Sequence, residues 1–218
     1  MPTMTTPQIK LFVLGMYETN CFVVTVPGEP ACWIVDCGFD PEPMLDWIAD
    51  QQLRPAALLL THTHPDHIAG VDEAISRFGA MPIYVHEAEA GFCSDPMLNL
   101  SAPLGMPLKV TEPDHLLREG DTLQLSDETW RVVHAPGHSP GGVLYVHDAS
   151  KQAIVGDTLF AGSIGRMDFP TSDPQALRHT IQTVLMGMPD DLAVYPGHGP
   201  ATTIGRERQT NPFVVHGF

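Results

Sequence analysis

Between Thr61 and His67 the chain reads Thr-His-Thr-His-Pro-Asp-His, directly after the apolar run Ala56-Ala57-Leu58-Leu59-Leu60. A buried strand that empties into a loop of metal-ligand side chains is a site built on a rigid element. It obliges the rest of the chain to bring further strands alongside. His62 and His64 stand two residues apart, so on extended backbone they project to the same side. Asp66 and His67 fall where the chain turns into a helix and aim at a second nearby point. One cluster can therefore feed two metal ions. The alternative is a His-rich polar loop at the surface, and it is weakened by matching side chains further along.

Those side chains are His138 in Ala-Pro-Gly-His-Ser, Asp157 in Val-Gly-Asp and His198 in Pro-Gly-His-Gly, each just after an expected strand. Glycine beside a ligand lets the backbone bend sharply and approach a site closely. Strand, glycine turn, ligand is thus a recurring unit. His86, His115, His134, His147, His179 and His216 lack that context and read as surface or hydrogen-bonded histidines. Only His134, four residues before His138, stays open as a ligand.

Around this frame, strands are expected at 8–14, 21–26, 32–36, 56–60, 83–85, 123–125, 129–134, 142–146, 152–155 and 192–195. Asp40-Pro41 reads as an N-cap and first helical position for a helix reaching about Leu53. Ile68, Val71, Ala74, Ile75 and Phe78 recur at three and four, one helix face ended by Gly79. Asp173-Pro174 opens a last long helix with Leu177, Ile181, Val184, Leu185 and Met188 inward. Residues 202–209 suggest a short helix stopped near Pro212, and Asp148–Lys151 a hairpin turn. The irregular stretch Gly91–Met106 is long enough to be a wall of a substrate pocket. Strands with helices between them, in both halves, indicate two facing sheets with helices outside.

The 218 residues, 43% of them hydrophobic, suffice for one α/β domain over residues 1–218. A net charge of −15 argues against nucleic acid and anionic membranes as partners. Met1–Pro7 shows no basic or apolar export segment, and no apolar run approaches a membrane span, so a cytoplasmic location is expected. Cys21, Cys32, Cys37 and Cys93 form no C-x-x-C pair and read as buried free thiols.

At this point the chain resembles the metallo-β-lactamase-fold hydrolases, whose signature H-x-H-x-D-H, then His, Asp and His, is met by His62, His64, Asp66, His67, His138, Asp157 and His198. The resemblance implies a four-layer αβ/βα sandwich with metals at one edge. It also implies that His62, His64 and His138 hold one metal, that Asp66, His67 and His198 hold the other, and that Asp157 bridges both. Gly156–Phe160, Gly165–Phe169 and Pro196–Gly199 look like segments of the glyoxalase II-like thioester hydrolases. Longer enzymes of that branch add a helical extension that binds glutathione. This chain stops at Phe218, so glutathione recognition does not carry over.

Two divalent ions, zinc by preference with iron or manganese as alternatives, suit these imidazole and carboxylate ligands. Such ions acidify water to a pKa of about 7 and polarise a carbonyl, with Asp66 orienting the nucleophile. A thiolate departs with little help, its thiol having a pKa of about 8.5. The motifs contain no dedicated acid for an amine, which favours a small-molecule thioester such as S-lactoylglutathione. Arg166 is a candidate for a substrate carboxylate, although a buried ion pair with Asp168 is the better reading. Tyr195 reads as core. A persulfide dioxygenase with one non-haem iron resembles the same Gly165–Phe169 loop, and a lactonase keeps the same ligands. A β-lactamase usually has Cys at the place of Asp157, and a closed structural zinc site would favour Cys.

Overall fold

The computed structural model describes residues 6–218; Met1–Thr5, part of the segment expected to carry no export signal, lie outside them. Gln8–Leu14 (β1) and Thr19–Thr25 (β2) pair antiparallel, and Ala31–Val35 (β3) continues the sheet. Helix Glu42–Asp50 (α1) then leads to Arg54–Leu59 (β4), parallel to β3. Helices Pro65–Ile68 (α2) and Val71–Phe78 (α3) precede Ile83–His86 (β5), and His115–Leu117 (β6) closes a sheet of order β1-β2-β3-β4-β5-β6.

The second half supplies Thr122–Leu125 (β7), Glu128–His134 (β8), Val143–His147 (β9) and Gln152–Gly156 (β10), an antiparallel meander. A ribbon of Leu159–Phe160 (β11) and Ser163–Ile164 (β12) follows, then helix Pro174–His179 (α4). Ala193–Pro196 (β13) joins parallel to β10, and Thr202–Thr203 (β14) edges the sheet, ordered β14-β13-β10-β9-β8-β7. Ile204–Thr210 (α5) and Pro212–His216 (α6) complete the described residues.

Alternation within strands sorts the side chains into layers. In β2, Cys21 and Val23 face outward to Met44, Leu45 and Ile48 of α1 and to Val71 and Ala74 of α3. Phe22 and Val24 face inward, where Trp33, Val35 and Leu59 meet Trp130, Val132, Tyr145 and Ile154 of the second sheet. The far side of that sheet, through Leu144, Val146, Val155 and Val194, packs on Leu177, Ile181, Leu185 and Ile204. The result is the expected helix, sheet, sheet, helix sandwich. Tyr145 crosses between the sheets, and its hydroxyl donates to the Leu60 carbonyl at 2.7 Å, so a buried polar group is satisfied.

Local expectations needed correction. Asp40 does not cap α1: it sits at φ 53°, and Pro41 takes the cap position without a side-chain bond. A side-chain cap needs extended backbone there, which the left-handed Asp40 lacks. α1 also ends earlier, at Asp50. The helix expected through Ile68 and Phe78 breaks between α2 and α3, where a Cβ on Gly70 would lie 2.6 Å from the Gly38 carbonyl and 2.8 Å from the Pro41 ring. Asp173 caps α4 as expected, accepting from Gln175 and Ala176 N–H. Beyond His179 the helix widens into a π turn over Thr180–Val184 and tightens into a 3₁₀ turn at Leu185–Gly187. Pro212 does not merely stop a helix but starts α6, with Asn211 accepting from Phe213 N–H. β6, β11, β12 and β14 were not anticipated, and the helix expected over 202–209 starts only at Ile204; strands of two or three residues carry no readable period. All four cysteines are free and buried. No helix among the described residues is long and apolar enough to cross a membrane.

Candidate metal centre

Four strand ends converge at one edge of the sandwich. His62 and His64 follow β4, His138 follows β8, Asp157 follows β10 and His198 follows β13. His62 Nε2 lies 3.1 Å and His138 Nε2 2.9 Å from His64 Nδ1. Asp66 Oδ2 lies 3.2 Å from His198 Nε2 and 3.5 Å from His67 Nε2. Asp157 stands between the two groups. Its Oδ1 is 3.4 Å from His67 Nε2, and its Oδ2 is 3.6 Å from His138 Nε2 and 3.5 Å from His198 Nε2. All seven residues singled out in the sequence are thus brought together. Gly197 allows the last approach, since a Cβ there would fall 2.1 Å from Asp157 Oδ1.

The outer hydrogen bonds decide what the inner nitrogens present. His138 Nδ1 meets the Arg166 carbonyl at 2.8 Å, which only an N–H can do. His67 Nδ1 meets Asp36 Oδ2 at 2.8 Å, and His62 Nδ1 lies 3.1 Å from Thr61 Oγ1, whose own proton goes to Asp36. With Nδ1 as donor in each ring, Nε2 of the neutral imidazole is a lone pair. Lone pairs of His62 and His138 therefore face His64 Nδ1, which has at most one proton to offer. His67 Nε2 and Asp157 Oδ1 are buried without any hydrogen-bond partner. Converging lone pairs and orphaned acceptors are what divalent cations satisfy, and three groups have the required closeness: His62/His64/His138, His62/His67/Asp157 and Asp66/His67/His198. The donor set fits the metals inferred from the sequence.

The electrostatics give neutral imidazoles in the first group and, around His67 in the second, a carboxylate field that draws either a proton or a cation. Burial pushes His62 well below the usual histidine range and His64 down to about 3, reinforced by neighbouring imidazoles, so both are neutral at pH 7. Burial would raise the Asp66 carboxyl, but His67, His198 and the Thr19 hydroxyl overcome it and hold it well below its ordinary value. Asp157 is likewise lowered by His67, His138 and His198 against its burial. Burial opposes protonation of His67, yet Asp66, Asp36 and Asp157 raise it.

A supporting ring escaped the sequence reading. Asp36, fully buried, takes Thr61 N–H at 2.7 Å, Thr61 Oγ1 at 2.7 Å and His67 Nδ1. It directly follows β3, just before Cys37-Gly38, so the strand-end context used for the candidate ligands was a signal for it too. Glu89, also fully buried, accepts from Thr63 N–H (2.7 Å), Thr63 Oγ1 (2.6 Å) and Gly141 N–H (2.9 Å). It joins the loop of His64 to the loop of His138, and no local pattern announces it. Thr19 Oγ1 donates to Asp66 Oδ2 at 2.9 Å. Asn20 N–H donates to the Gly197 carbonyl at 2.7 Å, and its side chain to the Pro196 and Gly199 carbonyls at 2.8 Å each.

The centre opens into a cavity of about 270 Å³ walled by Tyr17, Leu100, Leu104, Phe160, Phe169 and Arg166. Leu100 and Leu104 come from the stretch expected to form such a wall. Tyr17, which lies between the strands expected at 8–14 and 21–26 and belongs to no motif, was missed, as was Phe169, whose ring meets His64 and His138 edge-on at 5.2 and 5.7 Å.

Residues 14–198 match the Metallo-beta-lactamase superfamily. The chain belongs to this superfamily. Among its members, "Hydroxyacylglutathione hydrolase GloC" of Haemophilus influenzae is 32% identical over 95% of this chain and 98% of the relative. "Probable metallo-hydrolase YqgX" of Bacillus subtilis is 33% identical over 94% and 96%. The solved structure of "BLEG-1 B3 metallo-beta-lactamase" superposes with TM-score 0.90 at 38% identity, covering 95% of this chain and all (100%) of that one. "TTHA1623 in a di-iron-bound form" gives TM-score 0.80 at 34% identity, over 94% and 99%. The protein is a metallohydrolase of this superfamily.

Arg166 does pair with Asp168, at 2.9 Å on both oxygens, but both side chains are exposed rather than buried. What Arg166 gives the loop is its carbonyl, held by His138. His134 is not in the cluster: its ring stacks on His86 at 3.9 Å, and its Nε2 bonds the Pro140 carbonyl at 2.9 Å. His147 bonds Ser150 and Glu128, and His115 stacks on Tyr84. Tyr195 packs edge-on against Phe22 in the inter-sheet core.

Proposed function

We propose that the protein is a binuclear metal-dependent hydrolase of small-molecule thioesters, related in activity to hydroxyacylglutathione hydrolases. The observation carrying this reading is the position of Asp157, a shared carboxylate between two ligand groups that open on one cavity. His62, His64 and His138 would hold one divalent ion and Asp66, His67 and His198 the other, zinc by preference, with iron or manganese as alternatives. When bound, the ions supply Lewis acidity and a water acidified toward neutrality. Asp66, held ionised and fixed by Thr19, accepts the hydrogen bond that aims the attacking water and takes its proton. Phe169 and Phe160 keep the reacting carbonyl against the ligands and away from bulk water. The C–S bond breaks with its electron pair on sulfur, and a thiolate, whose thiol has a pKa of about 8.5, departs without waiting for the proton that Asp66 has taken and later returns to water, whereas an amine would need that proton delivered to nitrogen.

A β-lactam is the second substrate worth testing, because the neighbour at 38% identity is described as a B3 metallo-beta-lactamase. The test is a panel on zinc-, iron- and manganese-loaded protein: S-lactoylglutathione, a simple acyl thioester, a lactone, a chromogenic cephalosporin, and glutathione persulfide with an oxygen electrode. The highest kcat/KM is expected on a thioester. A higher value on the cephalosporin or lactone, or oxygen uptake by the iron form alone, replaces the thioester reading.

A further inference from the structure

The cavity mouth has a chemical bias of its own. Apart from the ligand side chains and Pro65, its wall is made of Tyr17, Leu100, Leu104, Phe160, Phe169 and Arg166. Exposed apolar side chains continue it along the chain, with Met16 beside Tyr17 and Met97 and Leu98 ahead of Leu100, the kind of surface that marks a binding site. The wall is preset. Leu100 is held at φ 67°, a conformation uncommon for a side chain of this size. Buried Asn99 and Ser101 fix it there: Asn99 Oδ1 accepts from Ser101 N–H, and Asn99 Nδ2 donates to the Leu108 carbonyl.

Arg166 is the one Lys or Arg among the described residues lining this cavity. Its Nε and Nη2 already donate to the two oxygens of Asp168, both at 2.9 Å, and its guanidinium carbon lies 4.3 Å from the centre of the Phe169 ring. A substrate carboxylate would have to displace an acid tethered two residues away, which has the advantage of effective concentration.

We propose that the cavity selects acyl substrates whose leaving-group arm is neutral and apolar-flanked, and that Asp168 is a specificity determinant because it occupies the guanidinium of Arg166. This rests on the hydrolase reading and narrows it to thioesters whose thiol arm lacks the carboxylates that glutathione carries. An exposed pair of this kind is individually weak, so Asp168 modulates selectivity and does not gate it.

The experiment compares two thioesters of phenylacetic acid, one with neutral N-acetylcysteamine and one with anionic 3-mercaptopropionate, on metal-loaded wild type, Asp168→Asn and Asp168→Asn/Arg166→Gln. Wild type should favour the neutral thioester by about tenfold in kcat/KM. Asp168→Asn should shift that ratio toward the anion by about fivefold, and adding Arg166→Gln should restore it. Each wild-type ratio is divided by the ratio of the uncatalysed hydroxide rates of the same two thioesters, and intrinsic differences between the thiols cancel in the comparisons among the three proteins. A general disturbance of the loop would not be reversed by removing Arg166. In parallel, calorimetry with the hydrolysis-inert S-(2-phenylethyl) thioethers of the same thiols should give the same order of affinity ratios. If no thioester turns over, the hydrolase reading falls and the calorimetric ratios still decide this one. A wild-type preference for the anion, a ratio unchanged within about twofold in Asp168→Asn, or no restoration in the double variant overturns it.

Discussion

Nδ1 of His67 donates to Oδ2 of Asp36 at 2.8 Å, and both side chains are fully buried. The same oxygen takes the Thr61 hydroxyl that orients His62. One carboxylate thus sets the direction of a histidine in each ligand group. In Asp36→Asn the amide must turn an N–H toward one of these donors. Outer partners of ligand histidines typically change metal affinity by about 10–100-fold, and a loss in that range is expected here by competition with a chromophoric chelator. Unchanged affinity would show that the rings are held by packing alone.

Asp157→Ala should lower metal content below two equivalents by elemental analysis and abolish turnover. Gly197→Ala probes the same carboxylate without deleting it, because the new methyl would press on Asp157 Oδ1 and on His67 Cε1, 2.8 Å away. It should weaken metal retention in the same direction. Full retention of metal and activity in both variants would remove Asp157 from the ligand set.

Glu89→Gln replaces a carboxylate that serves three donors. Whichever way the amide turns, one N–H faces Thr63 or Gly141, leaving a buried donor unsatisfied. A loss of about 1–3 kcal/mol in urea unfolding is expected. Because Glu89 joins the loops of His64 and His138, the optical spectrum of the cobalt-substituted protein should also change.

His86 gives the fold an acid-sensitive joint. Burial and the stacked His134 lower its pKa to about 4, and its Nδ1 accepts the Ala88 N–H at 3.3 Å. The folded value lies below the unfolded one of about 6.5, so between pH 6.5 and 4 the unfolded chain binds more protons. Stability from this group is complete above that window and is lost as pH falls through it. His86→Asn keeps an N-cap acceptor and cannot titrate. Its urea midpoint should fall less than that of wild type between pH 7 and 4.5, and parallel curves would refute this role.

The seven candidate ligands were legible because each carries its own local context, a strand end followed by a turn, and the metal-binding chemistry of His and Asp is specific. The layers were legible for a similar reason: the alternation in β2 and the three-and-four spacing of α3 state which face is buried. What was not legible depends on partners far along the chain. Glu89 meets Gly141 across 52 residues and Asp36 meets His67 across 31, distances at which no periodicity operates. The break at Gly70 is a packing event, set by the backbone of Gly38 and the ring of Pro41, and helix propensity does not record it. The π turn after His179 likewise keeps Ile181 and Leu185 buried at the cost of regular geometry.

The stitch between Asn20 and the Pro196–Gly199 loop has a consequence in time. Its partners are separated by 176 residues, so on a ribosome adding about 5–20 residues per second the first hairpin waits roughly 10–35 s for its mate. During that interval His62 and His64 have emerged while His198 has not. In the proposed two-ion centre an ion that arrives early would meet a fraction of the donor set, and the full set would exist only after nearly the whole sandwich is able to form.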